Sequence, residues 1–466
     1  MSLFPRLYRR VFLLLVFQMV GGAVCQGGAG AIQTLFDERI KSVVAIEFFV
    51  ETEVDRRPTT VIGMVIDAEG LILLLDQAIP GWLPPDQLKG FTVYQAGKRK
   101  PYLGTYLGQD YLTGWHYLRA EKTLADQLTP FTEFGVDQPP LGEELWGIGL
   151  MGKNFNFLPF YLNGRLSFTQ QVPQKVGFSI EDLGSPGAPV FNTAGAFVGW
   201  TANGIPSERI LLLNGERYNV ALQNKNGSGA FFMASEVADL IDRVPASPVG
   251  QSIPWIGVFG LEPVTPEVAS FFKLENRSAL VVSEILENSP ADEAGMEKRD
   301  IIVSIDGVEL PRFNPGRAVA TYFEKQILLR NPGDVIRLGL LRNKEEQEIV
   351  VTVDRQPKWL KEAERFYFEA LGITIREFVT FDRINRHLSE REGKGVVTNF
   401  VKANSQAGAS GLQVGDLIKE IDGVVITGYA QAVSLMAAIA ADSSLTEFVL
   451  LISRNMETSV IRVRLK

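Results

Sequence analysis

A Gly-rich turn followed by a hairpin is the one stretch whose residue types and spacing suit covalent chemistry. Glu181 to Asn192 reads EDLGSPGAPVFN, and TAGAFVGW follows. Gly184 and Gly187 bracket a tight turn, Val190-Phe191 and Phe197-Val198-Gly199-Trp200 supply two apolar runs, and Ala194-Gly195 joins them. This is the shape of a nucleophile turn. Acyl transfer there needs a hydroxyl to attack and backbone N–H groups to hold the oxyanion. Ser185 carries the hydroxyl, and its ordinary reading is a turn serine directed elsewhere. Pro186 beside it offers neither hydroxyl nor N–H. Metal chemistry is unsupported: His116 and His387 lie far apart with no ligand spacing around them, and the single cysteine, Cys25, cannot build a zinc site. No cofactor is expected.

The elements that would carry this turn are short strands. Leu35 to Ile40 reads as a short helix after a Gln26 to Ala31 leader. Ser42 to Val54, Thr59 to Ile66 and Leu71 to Leu75 then read as strands, with a turn at Asp67 to Gly70. Phe91 to Gln95, Pro101 to Leu107, Trp115 to Arg119, Leu145 to Leu150 and Phe160 to Thr169 continue the pattern. Many short strands at this spacing predict barrels or a sandwich, so the chain is expected to be mainly β.

In that setting the turn resembles the active-site turn of the chymotrypsin-like HtrA/Deg family of periplasmic serine proteases, in which Gly-Asn-Ser-Gly-Gly precedes a strand such as Leu-Val-Asn. Gly184 to Asn192 fits this frame without a gap and puts Pro186 at the nucleophile. The family strand ending in Thr-Asn-Asn-His-Val-Val is matched by Gly70 to Ile79, with Gln77 at the histidine. Its Thr-Asp-(apolar)-Ala stretch is matched by Asp110 to His116, with Gly114 at the aspartate. Tyr161 to Ser167 is similar to the family's Ser-Gly-Ile-Val-Ser strand. The resemblance implies a chymotrypsin-like double β-barrel whose base, orienting carboxylate and nucleophile are replaced by Gln77, Gly114 and Pro186, a pseudoprotease. The competing enzyme would use a relocated set of His116, Ser185 and Asp110. His116 shares a strand face with Gly114, but it stands where the family has a small core residue, so a packed histidine is expected.

Downstream, the window Asn288 to Gly307 recurs at Asn404 to Gly423. Asn288/Asn404, Ser289/Ser405, Ala291/Ala407, Gly295/Gly411, Asp300/Asp416, Ile302/Ile418, Ile305/Ile421, Asp306/Asp422 and Gly307/Gly423 are identical without a gap, which marks a duplicated module. The module resembles an HtrA-type PDZ domain. Later helices are expected at about Arg317 to Leu329 and Tyr429 to Ala440, and hairpin turns at Arg342-Asn343 and Arg454-Asn455. PDZ domains take a peptide's terminal carboxylate on backbone N–H groups and add the peptide as a strand. The resemblance places that site at Trp255-Ile256-Gly257-Val258 in the first copy and at Ala370-Leu371-Gly372-Ile373 in the second, where each glycine permits close backbone approach. The second copy is expected to be the more open, because Pro254 and Trp255 can tuck the first groove away.

Composition sets the compartment and the partners. Arg6, Arg9 and Arg10 precede the apolar run Val11 to Phe17, and Gly21, Gly22 and Ala23 follow, which reads as a secretory signal peptide over residues 1–25 rather than a membrane span. Arg9-Arg10-Val11-Phe12-Leu13 also approximates a twin-arginine signal. Cys25 stands where a lipid-bearing cysteine could stand, but Val24 before it fits that processing poorly. The chain carries a net charge of −8, more acidic once the leader is removed, which argues against nucleic acid and anionic membranes as partners. Pro/Ser/Gly-rich Val244 to Gly250 and charged Gln356 to Glu364 separate a trypsin-like domain (31–243), a first PDZ domain (251–356) and a second (366–466). The expectation is an exported, periplasmic protein that binds peptides or unfolded proteins without catalysis, as chaperone, adaptor or protease regulator. The alternatives are an endopeptidase with a relocated site, and a structural subunit that forms homo-oligomers or joins active HtrA homologues.

Overall fold

The computed structural model describes residues 30–75, 78–134, 138–170, 175–202, 211–212, 220–221, 229–313, 316, 318–388 and 393–465. The expected signal peptide, Cys25 and Gln77 lie outside the described residues. Two compact units are present. One comprises the chain through Phe48 with Thr59–Pro80 and Gly90–Pro245; the other comprises Phe49–Pro58, Gly81–Lys89 and Ala246–Lys466.

Residues 30–39 are helical (α1), a longer helix than the sequence signals suggest. Strands β1 (Val43–Glu51), β2 (Arg56–Val65), β3 (Leu71–Leu74), β4 (Leu88–Gln95), β5 (Pro101–Gln109) and β6 (His116–Ala120) follow and close a barrel in the order β1-β2-β3-β6-β5-β4. After α2 (Lys122–Ala125) come β7 (Glu144–Leu150), β8 (Pro159–Gln170), β9 (Val176–Ser179), β10 (Pro189–Asn192) and β11 (Phe197–Thr201). Two-residue strands β12 (Leu211–Leu212) and β13 (Val220–Ala221) pair apart, and β14 (Ala230–Met233) precedes α3 (Ala234–Val237). The second barrel closes as β10-β11-β14-β9-β8-β7. Closure leaves no free sheet edge, which is why strands as short as four residues suffice. Trp146 and Trp200 are fully buried, and each indole N–H has a backbone acceptor, Asn192 O at 2.7 Å and Gly187 O at 2.6 Å.

The duplicated windows fold alike. The first module has β15 (Pro254–Trp255), β16 (Val258–Phe259), β17 (Glu262–Pro263), α4 (Pro266–Phe272), β18 (Leu280–Val281), β19 (Glu284–Ile285) and α5 (Pro290–Glu293). It continues with β20 (Ile301–Ile305), β21 (Val308–Glu309), α6 (Ala318–Leu328), β22 (Val335–Arg342), β23 (Glu345–Thr352) and β24 (Asp354–Arg355). The second has β25 (Arg365–Phe368), β26 (Ile373–Glu377), α7 (Thr380–Asn385), β27 (Val396–Val401), α8 (Gln406–Ala409), β28 (Leu417–Ile421), β29 (Val424–Val425), α9 (Tyr429–Ala441), β30 (Glu447–Arg454) and β31 (Glu457–Arg464).

The repeated identities have repeated jobs. Ser289 caps α5 by accepting the Asp292 N–H, and Ser405 caps α8 by accepting the Gly408 N–H. Asp300 and Asp416, each 1% exposed, take bidentate bonds from Arg342 (2.7 and 2.7 Å) and Arg454 (2.6 and 2.7 Å). Asp306-Gly307 and Asp422-Gly423 both turn with positive φ, as do the hairpin residues Asn343 and Asn455.

Candidate functional site

The nucleophile-like turn is lashed to β11 by its own backbone. Thr201, fully buried, donates its hydroxyl to Ser185 O at 2.6 Å and accepts the Ala188 N–H at 2.9 Å. The Gly187 N–H donates to Thr201 O at 3.0 Å, and the Ala188 N–H lies 3.0 Å from Ser185 O as well. Pro186 has no N–H to give. The turn from Pro186 to Ala188 therefore has no amide left to stabilise a developing oxyanion. Nothing in the sequence signals flagged Thr201, which lies just past the apolar run Phe197 to Trp200.

His116 is a core histidine. It is 2% exposed, with Nε2 3.0 Å from Ile79 O and Nδ1 2.8 Å from Tyr106 Oη. A carbonyl only accepts, so Nε2 carries a proton, and Nδ1 is engaged by the Tyr106 hydroxyl. Burial pushes the Tyr106 phenol well above its usual range, so it stays protonated and able to donate. Both ring nitrogens are thus engaged by the barrel's own groups.

Asp110, 4% exposed, accepts from the Thr113 N–H (2.9 Å) and hydroxyl (2.8 Å) and pairs with Arg243 Nε at 3.2 Å. Gly114 closes this same turn at φ +73°, donating its N–H to Asp110 O at 2.9 Å. The structure thus places Asp110, Gly114 and His116 on one turn and strand, and each is engaged in holding the fold. Arg243, at the end of the barrel segment, carried no sequence signal for this role.

The two carboxylate-loop candidates differ. In the first module Ile256 is buried and Gly257 stands at φ +87°. The carbonyls of both are used, by the Ala291 and Leu286 N–H groups at 2.9 and 3.0 Å, while among the described residues no backbone acceptor meets the Gly257 N–H. Val258 begins β16, which pairs with β19 on one side. Beside it opens a cleft of about 300 Å³ lined by Trp255, Val258, Phe259, Phe323, Glu324 and Ile327. β15 leaves this edge clear by pairing with β24 instead.

In the second module Leu371 and Ile373 are buried and Gly372 stands at φ +68°. Here β26 is paired on both sides, with β27 and with β25. The copy expected to be more open is the one whose edge is filled. β25 and β26 are joined by a tight turn that folds the preceding chain onto the strand, whereas in the first module Pro254 cannot donate to such a ladder.

Comparison with known proteins fits this architecture. Residues 266–353 match the family model described as PDZ domain. The chain is 27% identical to a probable periplasmic serine endoprotease DegP-like of Chlamydia pneumoniae over 46% of this chain and 42% of that protein. It is 29% identical to the periplasmic pH-dependent serine endoprotease DegQ of Escherichia coli strain K12, over 39% of this chain and 36% of that one. The chain is similar in sequence to HtrA/DegP-type periplasmic serine endoproteases. It spans less than half the length of these two relatives. A DegP-like relative of Marinomonas is 26% identical over 79% of this chain and 72% of its own length. Among solved structures, a serine-to-alanine variant of the HtrA-type protease AlgW with a decapeptide superposes with TM-score 0.52 at 18% identity, covering 70% of this chain and 97% of that one, a likeness of fold. Among the described residues no cluster of three or more His, Cys, Asp or Glu could hold a metal, and no helix is long and apolar enough to cross a membrane.

Proposed function

We propose that this HtrA homologue is an exported, periplasmic pseudoprotease that binds C-terminal or unfolded peptide segments without cleaving them, as a chaperone, adaptor or regulator of an active protease. The observation that carries this reading is Pro186. At the nucleophile position it removes the hydroxyl and one oxyanion donor together, and the next two amides of the turn are already spent on Thr201 and Ser185. Loss of one oxyanion donor alone costs about 10²- to 10³-fold in rate. Gln77 and Gly114 leave no base and no orienting carboxylate, and His116 is committed to Ile79 and Tyr106.

Peptide binding falls to the first module. Ile256, Gly257 and Val258 form the carboxylate loop and strand edge, and the cleft against α6 receives apolar side chains. Leu371, Gly372 and Ile373 form the equivalent loop of the second PDZ-like domain, which residues 366–466 make up. The test is direct. The mature protein incubated with a fluorophosphonate probe and with unfolded casein should show neither labelling nor cleavage above buffer. A fluorescent peptide with an apolar C-terminus should bind, and its amide should bind more weakly by about 1.5–3 kcal/mol, the worth of a charge-assisted hydrogen bond. A labelled serine would overturn the pseudoprotease reading, and equal acid and amide affinities would overturn the carboxylate loop.

A further inference from the structure

The geometry points to the second module as a self-liganded site: β25 sits in its peptide groove as a tethered ligand, and when displaced the groove takes a C-terminal segment ending in a large aromatic residue. Strand β25 runs antiparallel to β26 in the register Arg365↔Arg376, Phe366↔Ile375, Tyr367↔Thr374 and Phe368↔Ile373. Its last residue lies at the carboxylate loop. There the Phe368 carbonyl accepts from the Leu371 N–H at 3.1 Å and the Gly372 N–H at 2.8 Å, donors that a terminal carboxylate would otherwise meet. The Phe368 ring, 4% exposed, packs into a cluster with Leu371, Ile373 and, from α9, Ala432, Met436 and Ile439. Phe366 stays half exposed, and its ring lies 4.8 Å from that of Phe368. Residue by residue this reproduces what an added peptide strand would do: main-chain pairing along β26, an aromatic anchor at the end, and oxygen on the loop amides. The first module, built on the same repeat, leaves the corresponding edge and cleft open.

A ligand joined by so short a turn has an effective concentration of about millimolar or higher, so free peptide competes poorly while β25 is seated. The proposal rests on reading the second module as a peptide groove, and it stands whether or not the first module binds. The test uses the full mature chain, a decapeptide ending in Arg-Phe-Tyr-Phe with a free carboxylate, its amide, and amide hydrogen exchange read separately over residues 371–377 and 256–261. In the unaltered chain, residues 371–377 should be protected and unaffected by peptide. The double variant Phe366→Pro with Tyr367→Pro removes both central N–H groups of β25, one of which must face β26. It should lose protection at 371–377 and regain it with the acid peptide, at a concentration at least tenfold lower than any effect on the unaltered chain. The amide should not restore it. If the variant unfolds the module, with β28 and β30 exchanging freely, the acid peptide should refold it. Failure of the peptide to protect 371–377 in either case would show that β25 is a structural strand and overturn the proposal, as would equal peptide protection in the unaltered chain. A change confined to 256–261 would support the first groove alone.

Discussion

Replacing each loop glycine by alanine separates the two modules. At Gly257 (φ +87°) an added Cβ would run into Ser289 Cβ and Oγ, and at Gly372 (φ +68°) it would meet Ser405 Cβ at 2.7 Å and Lys402 Cβ at 3.2 Å. In both places the backbone is left-handed, which costs an L-residue about 1–2 kcal/mol. In both places the obstructing serine is a helix N-cap, and displacing it costs about 1 kcal/mol more. Each substitution should therefore destabilise its own module by about 2–3 kcal/mol, lowering that transition by roughly 10–20 °C for a domain near 100 residues. The effects on binding should not match. Gly257→Ala should weaken an apolar C-terminal peptide at least tenfold, because it distorts the open loop. Gly372→Ala should leave affinity unchanged, because its loop amides already hold Phe368 O. Calorimetry gives the stabilities, and fluorescence polarisation well below both transitions gives the affinities. Equal loss of peptide from the two variants, or none from Gly257→Ala, would refute the assignment of the open groove to the first module.

Pro186→Ser alone should not produce casein cleavage, since a serine without a base is a weak nucleophile at neutral pH; adding Gly114→Asp should cost about 1–2 kcal/mol in urea unfolding, because that position is held at φ +73°. Asp416→Ala should destabilise the second module by about 3 kcal/mol, the lower end for a broken buried pair because Arg454 is 35% exposed and rehydrates, and a cycle with Arg454→Ala should recover part of the loss. Partial desolvation beside the first cleft raises the pKa of Glu324, an otherwise exposed residue. The folded chain therefore holds that proton more tightly than the unfolded one, and the contribution to stability is full below the ordinary glutamate value of about 4.3 and is lost as pH rises through the raised value. Glu324→Gln should match the unaltered chain in acid and gain stability toward neutral pH, by under about 1 kcal/mol since the side chain keeps solvent contact; melting curves from pH 3 to 8 that differ by a constant amount would contradict this.

The sequence by itself determined many of the barrel strands, the duplication and the proline at position 186. Period-two runs of β-branched and aromatic residues report local burial, so β1, β3, β7 and β8 were legible to within a few residues, as were α6 and α9. The gapless identities between Asn288–Gly307 and Asn404–Gly423 were legible too, because a serine cap, a buried aspartate and an Asp-Gly turn are local requirements that recur with the fold. A proline's missing N–H follows from its chemistry wherever it is placed. What only the tertiary structure decided are pairings between residues distant in the chain. Thr201 spending the turn's amides, Ile79 and Tyr106 holding both nitrogens of His116, and Arg243 reaching Asp110 arise from barrel closure, which no local pattern encodes. The groove is the sharpest case. Whether the strand ahead of the loop pairs with the strand after it, as β25 does with β26, or turns away, as β15 does to meet β24, depends on which edge donors and acceptors the rest of the sheet leaves unpaired.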